Sequence, residues 1–220
     1  MPLEPARPIL NLITSGKTTP ATTPHSPELK ALLELIEAAV AARVSLVQIR
    51  EKQATTRVLQ ELALKAVKLT RGTTTRLLVN DRFDVALASG ADGVQLTSRS
   101  IPTDIVRRIC GSEFIVGVST HSLMEAQRAR DNGADFVLFG PVFETESKRA
   151  FGKPQGIQRL REVAGELGAF PVIAIGGVTI DNARQCFASG AHGVAAISLL
   201  SDAERLSEVC EQVRQEFDSL

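Results

Sequence analysis

Arg50 and Lys52 stand just after the apolar run Val47-Gln48-Ile49, and Lys148 lies one loop beyond the run ending at Phe139. A guanidinium grips phosphate oxygens through two parallel bonds, and ammonium groups add point charges. The pair Gly176-Gly177 follows Val172-Ile173-Ala174-Ile175 and lets bare backbone N–H groups approach an anion. Ile197 and Ser198 close a further apolar run. The loop beyond them is expected to reach a helix N-terminus near Ser201, which also favours phosphate. These residue types describe a phosphate-binding mouth. The competing reading makes Arg50 and Lys52 a solvated loop pair. Lys148, with Arg149 and Lys153 close by, reads equally well as part of an exposed basic cluster.

Asn80 and Asp81 form a second constellation, because an amide beside a carboxylate can hold magnesium and orient a polyphosphate. The alternative is an aspartate that caps the next helix. Asp81 has no acidic partner after the following apolar run, where Ser98 and Ser100 stand. His121, in Ser119-Thr120-His121-Ser122, could do acid–base work, but at such a helix entry a histidine is more often a capping or packing residue. His25 and His192 lie in a polar loop and a turn, away from these clusters.

What must position these groups is a repeated unit. Ala88-Ser89-Gly90-Ala91-Asp92-Gly93-Val94, Asp131-Asn132-Gly133-Ala134-Asp135-Phe136-Val137 and Ala188-Ser189-Gly190-Ala191-His192-Gly193-Val194 share one pattern. Each reads as a helix closed by a left-handed glycine, a tight turn and a buried strand. Further strands are predicted at Ile9–Thr14, Ser45–Arg50, Arg76–Asn80, Phe114–Val118 and Pro171–Ile175, making eight with the three echoes. Ser26-Pro27 opens a first helix, with proline at its first position. Others are predicted over Thr55–Leu69, Phe83–Ser89, Thr103–Ile109, Leu123–Asn132, Ile157–Leu167, Ile180–Ser189 and Ala203–Phe217.

Alternating strands and helices of about 27 residues per unit predict an α/β fold, a (β/α)8 TIM barrel at the compact end of its size range. Residues 1–220 then form a single domain, with a polar, mobile loop at 15–25 after the first strand. An open doubly wound sheet would need a glycine-rich nucleotide turn after that strand, and Thr14-Ser15-Gly16-Lys17-Thr18-Thr19 lacks it. In a barrel, the clusters above all fall at the carboxyl ends of strands, where such folds place their active sites.

The 25 basic and 25 acidic side chains cancel, so no global field favours nucleic acid or an anionic membrane. Cys110, Cys186 and Cys210 are too few and too scattered for a disulfide framework or a zinc site. No apolar run reaches the ~18–20 residues of a membrane span, and MPLEPARP is no signal peptide. A cytoplasmic protein with reduced thiols is expected, and small barrels of this kind often form homodimers.

The strand-end motifs together resemble the thiamin phosphate synthase / TenI family of (β/α)8 barrels. The matching segments are VQIREK (47–52), LLVNDRFDVALASGADGVQL (77–96), VGVSTHSLMEA (116–126), GADFVLFGPVFETESK (133–148) and VIAIGGVTIDNARQCFASGAHGVAAIS (172–198). The resemblance implies a thiamin biosynthesis transferase that joins hydroxymethylpyrimidine pyrophosphate to thiazole phosphate, with magnesium, giving thiamin phosphate and pyrophosphate. It implies a dissociative path in which pyrophosphate leaves and the pyrimidine cation is captured by the thiazole nitrogen. By the same resemblance Gln48, Arg50 and Lys52 surround the pyrophosphate, and Asn80 and Asp81 lie at the metal. Ser119 and Lys148 complete the phosphate contacts. Thr145 and Ser147 lie near the thiazole, and Gly176, Gly177, Ile197 and Ser198 near its phosphate.

The chain departs from the synthase pattern after the fourth strand. Gln95 replaces a histidine, and Ser100 stands where the second metal-binding aspartate is expected. Ser15 likewise replaces the usual aspartate after Thr14. These changes resemble TenI-type proteins, which isomerise thiazole phosphate carboxylate. The TenI histidine, however, is here Pro141, as in the synthases. Three expectations follow: a synthase, a TenI-like tautomerase, or a non-catalytic regulator that binds thiazole or thiamin phosphate.

Overall fold

Eight parallel strands pair in chain order and close, the first back onto the eighth. They are β1 (Ile9–Ile13), β2 (Leu46–Ile49), β3 (Arg76–Asn80), β4 (Gly93–Leu96), β5 (Ile115–Thr120), β6 (Phe136–Phe139), β7 (Val172–Ile175) and β8 (Gly193–Ala196). Between and after them run α1 (Pro27–Ala41), α2 (Thr56–Thr70), α3 (Phe83–Ser89), α4 (Thr103–Cys110), α5 (Leu123–Asp131), α6 (Gly156–Leu167), α7 (Ile180–Ala188) and α8 (Leu206–Asp218). This computed structural model describes residues 8–145 and 154–220. The (β/α)8 barrel expected from the repeated units is the fold observed.

One boundary needs correction. After β8 the chain turns through Leu199–Leu200 and 203–205, and α8 begins only at Leu206. The helix N-terminus expected near Ser201 is therefore absent, and with it that source of anion affinity.

The strands are apolar on both faces because both faces are covered. Outward residues such as Leu10, Val47, Leu77, Val94 and Val137 pack with the helices into one large core. Helix α2 shows why the helices form: Val58, Leu59, Leu62, Ala63, Ala66 and Val67 recur on one buried face, and the Thr55 hydroxyl accepts from Val58 N. Truncating the fully buried Leu62 to alanine costs about 2–5 kcal/mol by the usual cavity cost.

Inward residues make a second core inside the barrel: Ile9, Ile13, Leu46, Leu78, Ile115, Phe136, Leu138, Ile173 and Ala195. Pairing register and alternation sort the inward positions into layers supplied by alternate strands. Asn11, Leu78, Gly117 and Ile173 share a central layer. Gln48, Gln95, Leu138 and Ala195 lie above it, and Ile13, Asn80, Ser119 and Ile175 come next toward the mouth. The interior thus changes from apolar at the floor to amide- and hydroxyl-bearing toward the carboxyl ends.

The echoed sequence is the floor's fastening. Gly90, Gly133 and Gly190 all adopt positive φ, at 74°, 89° and 88°, closing the preceding helices as expected. The residue just before each even-numbered strand then accepts the N–H of a residue in the preceding strand. Ser45 Oγ accepts from Leu10 N at 3.2 Å, and Asp92 Oδ2 accepts from Leu77 N at 2.8 Å. Asp135 Oδ2 accepts from Val116 N at 2.7 Å, and His192 Nδ1 accepts from Val172 N at 3.3 Å. Arg107 adds a fork beneath Asp135, donating to Asp135, Gly133 O, Gly111 O and Phe114 O.

Candidate active site

At the other end, Arg50 leaves β2 half-buried. Its backbone N–H donates to Thr14 Oγ1 at 2.8 Å, which fixes where the side chain starts. No hydrogen bond or ion pair from its guanidinium is found among the described residues. A half-buried cation without an internal partner is electrostatically open to an anion. Lys52 is exposed on the turn that follows.

The loop at 15–25, expected to be mobile, is tethered at its start. Glu51, only 3% exposed, anchors it. Glu51 Oε1 accepts from Thr14 Oγ1 (2.6 Å) and Gly16 N (3.1 Å), and Oε2 accepts from Thr18 N (3.0 Å) and Thr18 Oγ1 (2.8 Å). The same loop lies against Arg50, since a Cβ on Gly16 would sit 3.7 Å from Arg50 Nη1. Glu51 is a residue that sequence reasoning passed over. The only signal was a carboxylate set between two basic residues, with threonines thirty-odd positions upstream.

Two buried glutamines support the next groups. Gln48 Nε2 donates to Asn80 Oδ1 at 3.0 Å, and Gln95 Nε2 donates to Ser119 Oγ at 3.1 Å. With those oxygens engaged, the Asn80 amide and the Ser119 hydroxyl are set to donate toward the mouth. Deeper still, the fully buried Asn11 has no hydrogen-bond partner for either amide atom. Neither Gln95 nor Asn11 was singled out as a site residue from sequence.

Asp81 is exposed, at a left-handed φ of 63° that aspartate tolerates, and its N–H donates to Gln95 O at 2.9 Å. It does not cap α3, because the N-cap position belongs to Arg82. Arg82 forks onto Asp84, which holds the Asp84 carboxyl below its usual range and raises the guanidinium. Both are exposed, so the pair adds little stability.

The loop after β7 forms a backbone cradle. Gly176 and Gly177 take φ of 97° and 65°. A Cβ on Gly177 would lie 2.4 Å from Glu144 O, so only glycine fits. Asn182 Nδ2 donates to Gly177 O at 2.9 Å and the Asn182 carbonyl accepts from Thr179 N, which stiffens the turn. Ile197 packs on the inner core, and Ser198 is exposed at the end of β8. Thr145 is half-buried beside the same rim. Ser147 and Lys148, expected at the thiazole and phosphate positions, lie outside the described residues.

Ser100 folds back on its own turn: its Oγ accepts from Thr97 N at 2.8 Å and lies 3.1 Å from Thr97 Oγ1. Among the described residues no group of three or more metal-binding side chains exists. Glu51 is saturated by the loop, leaving Asp81 as the carboxylate after β3. His121 Nδ1 bonds to Gly140 O, and Ser122, not His121, caps α5. His121 thus ties the end of β5 to the loop after β6. Burial pushes Cys186 up to about 12 and Cys210 up to about 11, so neither thiol is a nucleophile at neutral pH.

A TIM barrel whose mouth carries a half-buried arginine, amide and hydroxyl groups and a glycine-lined turn has the common layout of an enzyme scaffold. The model of the thiamine monophosphate synthase family matches residues 19–200, and the chain belongs to that family. It is 44% identical over 179 residues to a putative thiamine-phosphate synthase of Geobacter sulfurreducens, covering 81% of this chain and 84% of the relative. A thiamine-phosphate synthase of Chloroflexus aurantiacus is 39% identical over 180 residues, covering 82% of each. The solved thiamine phosphate pyrophosphorylase of Pyrococcus furiosus superposes with a TM-score of 0.77 at 34% identity, covering 96% of this chain and 95% of that one. The chain is thus a transferase of thiamine biosynthesis by family.

Proposed function

We propose that this chain, as one domain over residues 1–220, couples hydroxymethylpyrimidine pyrophosphate with thiazole phosphate to give thiamin phosphate and pyrophosphate. The observation that carries the proposal is the half-buried Arg50 guanidinium, without a hydrogen bond or ion pair among the described residues, at the same carboxyl ends of the strands as Asn80 and Ser119, whose side-chain oxygens are engaged by Gln48 and Gln95. A leaving pyrophosphate needs preorganised positive charge and hydrogen-bond donors. The bond from the pyrimidine methylene to the pyrophosphate oxygen breaks, and its electron pair leaves with pyrophosphate. The thiazole nitrogen then gives its lone pair to the methylene carbon. Arg50, Lys52 and Lys148 hold the leaving group, with Asn80 and Ser119 donating to its oxygens and Gln48 fixing Asn80. Thr145 and Ser147 are assigned to the thiazole, and the N–H groups of Gly176, Gly177 and Ser198, with Ile197 as apolar wall, to its phosphate.

Asp81 is the carboxylate that would hold a magnesium ion, with substrate phosphate oxygens supplying the other ligands, since such ions are commonly bound by one or two carboxylates plus substrate phosphates. Bound there, the ion supplies neutralising charge on the leaving group. Ser100 supplies no second carboxylate and its hydroxyl is engaged with Thr97, so the remaining ligands would have to come from substrate and water. No helix among the described residues is long and apolar enough to cross a membrane, and the free cysteines suit a cytoplasmic setting. Purified protein given both substrates and magnesium should release pyrophosphate and form thiamin phosphate. No turnover at high enzyme concentration overturns the assignment. The tautomerase reading has one observation in its favour, the engaged Ser100, and predicts thiazole isomerisation without metal that is lost in His121→Ala.

A further inference from the structure

Gln95 is wholly buried, yet it is a polar residue in the centre of a barrel. One end of its amide is used: Nε2 donates to Ser119 Oγ at 3.1 Å. The other end, Oε1, has no partner among the described residues. It lies over Gly117, where an added Cβ would stand 2.3 Å from that oxygen and 2.3 Å from the Phe136 ring. Three inward positions on neighbouring strands are therefore committed to one arrangement. Gly117 opens the space, Phe136 closes the floor beneath, and the Gln95 amide nitrogen is left Ser119 as its shorter contact, with Leu96 O at 3.5 Å as the longer one. Burying an amide oxygen without a partner forfeits its hydration and is unfavourable. A buried polar group held at such a cost marks a site where geometry serves function.

We propose that Gln95 is a positioning residue for anion binding, acting through Ser119. By filling one acceptor position of the Ser119 oxygen from below, it turns the hydroxyl proton up toward the mouth, where it donates to a phosphate or pyrophosphate oxygen. This rests on the phosphate-handling reading of the mouth and deepens it: Ser119 is a donor because of Gln95. The Asp81 N–H, which donates to Gln95 O, belongs to the same strand end, so Gln95 joins the donor side and the carboxylate side through one residue.

The test is a double-substitution cycle read by titration calorimetry of inorganic pyrophosphate, in magnesium buffer, on the intact chain. Gln95→Met keeps length and removes the donor, and is expected to weaken binding about 5- to 10-fold, the worth of one hydrogen bond. Ser119→Ala is expected to weaken it by a similar factor. The double substitution is expected to bind no more weakly than Ser119→Ala alone, because the glutamine has nothing left to orient. Gln95→His, which retains a ring N–H, is expected to restore most of the affinity. Losses that multiply, an unchanged affinity in Gln95→Met, or no pyrophosphate binding by the unsubstituted chain each overturn the proposal. If Gln95→Met does not fold, Gln95→Glu serves instead: an acceptor-only side chain draws the Ser119 proton inward, and its penalty must be larger in the parent chain than in the Ser119→Ala background. Turnover is assayed separately. Coupled pyrophosphate binding without thiamin phosphate formation sinks the synthase assignment and leaves this inference standing; turnover with multiplying losses does the reverse.

Discussion

The two ends of the barrel use polar residues in opposite ways. At the floor, Ser45, Asp92, Asp135 and His192 each accept a strand N–H, and Arg107 spreads its guanidinium over four acceptors. These groups are satisfied by the chain itself, so they contribute to stability and have little capacity left for a ligand. At the mouth, Arg50 has no partner among the described residues, and Asn80 and Ser119 are oriented by the glutamines beneath them. The same residue types at one end close the structure and at the other are, on the proposed function, kept for a ligand. The end at which a polar residue stands therefore predicts whether its loss is felt in melting or in binding.

The sharpest break of this contrast is Arg50→Ala. Removing the open guanidinium should lower kcat/KM by about 100- to 1000-fold, the usual loss for one preorganised charge-stabilising donor. Melting should hardly move, because the guanidinium has no hydrogen bond or ion pair among the described residues to lose. Arg50→Lys should recover only part of the loss, as an ammonium lacks the paired donors. A large fall in melting temperature in Arg50→Ala would show that the mouth is structural after all.

The mirror experiment is Arg107→Ala. Several carbonyls and the Asp135 carboxylate lose a charged donor at once, at a cost of about 2–3 kcal/mol. In a chain of this size that lowers the melting temperature by about 5–10 °C. The activity of the folded fraction should be unchanged. Reduced turnover per folded molecule at low temperature would argue against separate roles for the two ends.

The contrast also explains which features could be read from the chain. The echo around Asp92, Asp135 and His192 was legible because its role is local: a helix closes, the chain turns, and a strand begins. The positions of Arg50, Asn80, Ser119 and Gly177 followed from the barrel, since each stands directly after an apolar run. What remained hidden depends on contacts far apart in sequence. Thr14 and Thr18 reach Glu51 across more than thirty residues, and no periodicity announces that. Gln95 looked like a substituted histidine, and its use became visible only with Gly117 and Ser119 on the adjacent strand. The polar composition of 15–25 pointed to mobility, and composition does not reveal that one buried carboxylate collects the donors at the loop's start.

Glu51 lies between the two behaviours, being internally satisfied yet placed at the mouth. Glu51→Gln keeps the shape but turns an NH2 group toward donors that previously met an oxygen. It should cost about 1–2 kcal/mol, the worth of one or two such bonds, and release the loop at 15–25. The expected reading is faster limited proteolysis within that loop, together with a severalfold rise in KM for the pyrophosphate substrate. A stability loss with KM unchanged would confine Glu51 to the floor's kind of role.

The smallest effect distinguishes the floor acceptors from one another. Asp92 and Asp135 are carboxylates, but the third echo uses His192, whose Nδ1 must be unprotonated to accept from Val172 N. Burial lowers the His192 pKa below the ordinary value of 6.5. The unfolded chain therefore binds this proton more readily than the folded one. The contribution of His192 to stability is fully present above about pH 6.5 and is lost as pH falls through the lower folded value. His192→Asp places the acceptor of the other two echoes at this position and removes that titration. Melting curves between pH 7 and 5 should fall less steeply in His192→Asp than in the parent chain. Parallel curves would mean that the histidine's acceptor role carries no weight and that the floor's fastening rests on Ser45, Asp92 and Asp135 alone.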